Sequence, residues 1–111
     1  MVSMKGKWRA RAAAAMDRAG VLARLAQSKS TLAGRYGVTR LALFGSAARD
    51  AARDGSDIDI LVAFDGPATA ERYFGVQSYL EDLFGVAVDL VTEKGLRAEL
   101  RPFIEAEAIG V

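Results

Sequence analysis

The sequence predicts an α/β fold, a sheet with helices layered on it, and three observations predict it. Apolar-rich strand-like segments are bounded by glycine and turn residues, helical patterns of three- and four-residue spacing lie between them, and strands separated by helices pack as layers. The chain has 111 residues, 51% apolar and 26% charged, the size and mix of one globular domain.

Residues 1–16 are basic and acid-poor, and their apolar part is a few alanines ended by Asp17. That is too short for a secretory core, and no run approaches the roughly 18–20 apolar residues of a membrane span. A flexible basic tail ahead of a single domain at 17–111, in a cytoplasmic protein, is the expectation. From Asp17 to Tyr36, the residues Val21, Leu25, Leu32 and Tyr36 form one helical stripe, which Gly37 stops. Arg40 to Phe44 reads as a short buried strand ended by Gly45. Ile58, Ile60, Val62 and Phe64 alternate along a second strand closed by Asp65-Gly66-Pro67. Tyr73, Val76, Leu80 and Leu83 mark a second helix ending before Gly85, and Val86 to Val91 is a third strand. A last helical segment starts at Leu96 and is interrupted or restarted at Pro102. The apolar residues 102–104 and 109–111 after it suit either a partner interface or the core.

There is no cysteine and no histidine. Disulfides, thiolate zinc sites, cysteine nucleophiles and imidazole triads are excluded. Chemistry is left to carboxylates, hydroxyls, lysine, arginine or a metal held by carboxylates. Residues 1–40 carry a net charge of +8 and residues 41–111 a net −7. A basic arm for nucleic acid is one reading; a basic first helix lying against an acidic body is the favoured one, because aromatic interleaving stops at Trp8.

In the run GSAARDAARDGSDIDI, residues 45–60, Asp57 and Asp59 are two apart in a strand and so share a face, with Ile58 and Ile60 on the other. Carboxylates about 6 Å apart repel by roughly 3 kcal/mol at an effective dielectric near 20, so a half-buried pair calls for a cation. Asp89 interrupts the third strand in the same way; if the second and third strands are neighbours, three acids converge. An oxygen-only ligand set selects Mg2+ or Mn2+, which keep positions open for substrate phosphates. Taken alone, Asp57-Ile58-Asp59 is as readily a solvated strand end. Gly45-Ser46, between a strand and a helix-compatible run, offers backbone N–H groups and a hydroxyl to a phosphate. Ser46 as a plain helix N-cap and Arg49 as a surface charge are the competing readings.

Glycine-serine, ten residues, then two aspartates one residue apart, with a strand before and a third acid on a later strand, resembles the signature of the polymerase-β-like nucleotidyltransferase superfamily. LALFGSAARDAARDGSDIDILV is similar to its smallest members, the minimal nucleotidyltransferase (MNT) antitoxins, and the resemblance covers the chain from about Val21 to the C-terminus. It implies a small mixed β-sheet with flanking helices. Gly45 and Ser46 would hold a nucleoside triphosphate, ATP above all, and Arg49 would assist. Asp57 and Asp59 would ligate two Mg2+ ions, with Asp89 the third catalytic, metal-binding carboxylate. The implied partner is a HEPN-type ribonuclease toxin, adenylylated on a tyrosine. Asp50 departs from the family pattern, which commonly has glycine there, and a carboxylate at that point is unfavourable beside phosphates unless it points away. A non-enzymatic antitoxin, and transfer to RNA or a small molecule, are the alternatives.

Overall fold

The structure, a computed structural model, describes residues 17–49 and 56–111. The expected tail at 1–16, the departure at Asp50 and most of the Ala-Ala-Arg-Asp repeat lie outside the described residues. Helix α1 spans Arg18–Tyr36, followed by strand β1, Val38–Phe44, the one-turn helix α2, Gly45–Ala48, and β2, Ile58–Phe64. Helix α3, Ala70–Phe84, leads to β3, Val88–Thr92, α4, Arg101–Glu107, and β4, Ile109–Gly110. The sheet order is β3-β2-β1-β4. β1 is antiparallel to β2 and β4, and β2 is parallel to β3, so the sheet is mixed, with α3 as the crossover.

Capping explains where the two long helices begin and end. The Asp17 carboxylate accepts a hydrogen bond from the Gly20 N–H at 2.9 Å, and the Thr69 hydroxyl accepts one from the Arg72 N–H at 3.2 Å, each relieving a donor orphaned by the first turn. Gly37 and Gly85 close the helices in left-handed conformation. The main core packs Val21, Leu25 and Leu32 of α1 and Val76, Leu80 and Phe84 of α3 against Leu43, Ile60, Val62 and Leu90. Basic residues of α1 grip the body through main-chain carbonyls: Arg24 donates to Leu83 O and Lys29 to Val111 O.

The opposite face of the sheet has a smaller core, in which Ala42, Phe44 and Leu61 pack with Leu96, Val91, Ile104 and Ala108. The two sequence readings of the C-terminal apolar residues therefore divide. Ile104, Ile109 and Val111 pack inward, whereas Phe103 is 73% exposed. β4 is an addition to the expected elements: two residues are too few to leave an alternation in the sequence, yet Leu43 pairs with Ile109 and Ala42 with Gly110. This pairing returns the chain across β1.

The outer edge of β3 is closed by a polar row on α3. Tyr73 donates its hydroxyl to Leu90 O at 2.6 Å and Gln77 donates to Val88 O at 3.0 Å. Glu81 accepts from Val88 N–H at 3.0 Å. Residues four apart on a helix lie on one face, so one side of α3 supplies the partners that another strand would otherwise provide. Among the described residues, no helix is long and apolar enough to cross a membrane.

Candidate active site

The site lies where β1 ends, β2 begins and β3 begins. Asp59 is in register with Phe44 of β1 on one side and with Asp89 of β3 on the other. Strand alternation puts Asp59 and Asp89 on the face of the smaller core, while Ile58, Ile60, Val88 and Leu90 enter the main core. Asp59 is half-buried and Asp89 exposed. Asp57, exposed, directly precedes β2.

The Asp59 carboxyl is pushed up to about 6. Burial is the first cause, followed by the charge of Asp89 and a hydrogen bond with it, then the charges of Asp57 and Glu107. A half-buried carboxyl beside other carboxylates ionises less readily than one in water, which is the direction of the shift. The register thus brings Asp59 and Asp89 together, with Asp57 close enough for its charge to act on Asp59. No group of three acids among the described residues is closed tightly enough to hold a metal ion as it stands. In donor chemistry the cluster fits a hard divalent ion: every ligand is oxygen, and the charge is in excess.

Gly45 connects this cluster to the loop after β1. Its φ is +74°, in the left-handed region, and a Cβ there would collide with the Asp59 carboxylate. Glycine is required twice over, for conformation and for close approach. Ser46 is not the helix N-cap: that position is Phe44, which has no side-chain cap, and Ser46 falls one residue inside the turn. Ala47 and Ala48 are buried beneath it, and Arg18 donates to Ala48 O at 3.3 Å, tying the turn to α1.

Nor is the loop's first N–H free, as the sequence suggests. Gly45 N–H donates to Glu107 Oε1 at 2.9 Å, and the Arg49 guanidinium donates to Glu107 Oε2 at 2.8 Å. Glu107 is the site residue that sequence reasoning misses. Nothing distinguishes it from Glu105, and its placement depends on β4, whose pairing with β1 is invisible in the pattern.

A mixed sheet carrying aspartates on adjacent parallel strands, beside a glycine-serine turn, defines a nucleotidyltransferase. Residues 25–111 match the nucleotidyltransferase domain family, and the chain belongs to it. It is similar to the protein adenylyltransferase MntA of Thermococcus cleftensis, 34% identical over 87 residues that make up 78% of this chain and 88% of that one. A solved structure described as a minimal nucleotidyltransferase superposes with a TM-score of 0.75 at 41% identity, covering 87% of this chain and 98% of that one. The fold is also that of a complex of tri-AMPylated Shewanella oneidensis HEPN toxin with MNT antitoxin, at a TM-score of 0.56 and 19% identity over 76% of this chain and 66% of that one.

Proposed function

We propose that this protein is a cytoplasmic protein adenylyltransferase that moves AMP from ATP to a tyrosine hydroxyl of a HEPN-type ribonuclease toxin and thereby acts as its antitoxin. The observation that carries the reading is the in-register pair Asp59 and Asp89 beside the Gly45 turn, because nucleotidyl transfer needs acids and a phosphate site within one reacting distance. The names of the relatives support the protein acceptor, and the HEPN complex supports the partner.

Asp57, Asp59 and Asp89 would hold two Mg2+ ions, Mn2+ being an alternative, which when bound offset triphosphate charge and acidify the acceptor hydroxyl. Gly45 N–H, the Ser46 hydroxyl and Arg49 hold the triphosphate and orient its α-phosphorus. The tyrosine oxygen forms a bond to that phosphorus as the bond to the bridging oxygen of pyrophosphate breaks, and the hydroxyl proton passes to Asp89. Incubation with labelled ATP, Mg2+ and a HEPN partner tests the reading. Label on the toxin, lost with Asp57→Asn or Asp59→Asn, is the expected result; toxin neutralised without label would replace it with inhibition by binding alone.

A further inference from the structure

Glu107 holds two donors that the triphosphate also needs. One oxygen accepts from the Gly45 N–H and the other from Arg49, and an N–H engaged at 2.9 Å has no second hydrogen to offer. The two oxygens of one carboxylate therefore occupy the donors as two oxygens of one phosphate would. Glu107 also adds its charge to the field of Asp59.

We infer that Glu107 is a built-in competitor of the triphosphate: it occupies the loop in the nucleotide-free protein and must swing out before ATP can seat. This rests on the proposed nucleotide site at Gly45 and Arg49. The backbone around Glu107 is pinned on both sides, by Ile104 in the smaller core and by the pairing of Ile109 with Leu43. Release is thus a rotation of one side chain, which is 30% exposed and has solvent to move into. Such a competitor keeps the loop formed while empty, and lowers apparent nucleotide affinity by the fraction of molecules in which it is seated.

The test is calorimetric titration of magnesium–AMP-PNP, and separately of magnesium–tripolyphosphate, into the full chain and its Glu107→Gln variant. Glutamine keeps the shape and one acceptor but not the charge. Binding of both probes should tighten by roughly 3- to 10-fold, the worth of one partly exposed, charge-assisted contact. Unchanged or weaker binding overturns the inference and makes Glu107 a brace for Arg49. In case the variant fails to fold, the side-chain carboxyl carbon resonance of Glu107 in the unmutated protein gives a second measurement. It should move to the position of a solvated glutamate on adding magnesium–AMP-PNP, and remaining in place overturns the inference. If the unmutated protein binds neither probe but Glu107→Gln does, the competition is complete and the inference stands. If neither form binds, the nucleotide site itself is wrong and both readings fall.

Discussion

Asp59 and Asp89 face each other across the parallel strands β2 and β3, close enough that the charge of Asp89 helps push the Asp59 carboxyl up to about 6. Elsewhere in the sheet the same register pairs apolar residues, Ile60 with Leu90 and Leu61 with Val91. An acid pair inserted into that ladder costs stability in the empty protein, and this cost is measurable.

The sign follows from the direction of the shift. Asp59 titrates at about 6 in the fold against an ordinary 3.8, so the folded state binds the proton more tightly than the unfolded chain. Its stabilising contribution is complete below about 3.8 and is lost as pH rises through about 6. Asp59→Asn removes the titration. In EDTA at pH 7 the variant should be more stable than the parent by up to about 1 kcal/mol, allowing for solvent screening, with the gap closing near pH 4. Urea denaturation at both pH values measures it; a variant much less stable at pH 7 would make Asp59 a structural acid.

Metal affinity should depend on the same proton. A carboxyl must lose its proton to ligate, so Mn2+ binding should be nearly constant above pH 7 and weaken by about tenfold per pH unit well below 6. Calorimetry at pH 7.5 and pH 5 in the absence of nucleotide reads this. Equal affinity at both would remove Asp59 from the ligand set.

Gly45→Ala should damage the loop by two routes, the left-handed φ and the collision with Asp59. Left-handed strain at a non-glycine residue costs about 1–3 kcal/mol, and the Asp59 carboxylate is the group obliged to give way. Thermal melts should fall by several degrees while magnesium–AMP-PNP binding is lost. Retained binding would place the phosphates away from this turn.

How far the sequence reads correctly depends on whether a feature is local. The stripe Val21, Leu25, Leu32 and the alternation Ile58, Ile60, Val62 are local patterns, and each predicts the face that enters the main core. The approach of Asp89 to Asp59 needed one further condition, that β2 and β3 be neighbours, which the crossover through α3 meets. Glu107 and β4 depend on long-range pairing alone: two residues of strand show no period, and a glutamate on a half-exposed helix looks like any solvated charge. The competing reading of Ser46 as a cap fails for a local reason: Phe44 holds the cap position and Gly45, with φ +74°, opens the helical turn.

The polar row Tyr73, Gln77 and Glu81 predicts a phenotype without chemistry. Tyr73→Phe should cost about 1 kcal/mol by leaving Leu90 O without its donor. Combining it with Gln77→Leu and Glu81→Leu uncovers the edge of β3, which should then pair between molecules. Light scattering across a concentration series should show association in the triple variant alone; a triple variant that stays monomeric would mean that the edge is closed by something other than these side chains.

Ser46 and Asp89 separate binding from transfer. If Ser46 touches the triphosphate, Ser46→Ala should weaken magnesium–AMP-PNP binding by about 1.5–3 kcal/mol, the worth of a hydrogen bond to a charged group. It should also leave stability nearly unchanged, because Phe44, not Ser46, occupies the cap position. Asp89→Asn should do the reverse. The amide keeps the volume and can hydrogen-bond Asp59, so fold and nucleotide binding persist, while on the proposed mechanism the acceptor hydroxyl loses the group that takes its proton. Transfer to the toxin should then fall by about 100-fold or more at unchanged nucleotide affinity. Were Asp89→Asn to lose binding and transfer together, Asp89 would belong to the nucleotide's own site, and the acceptor's proton would need another base.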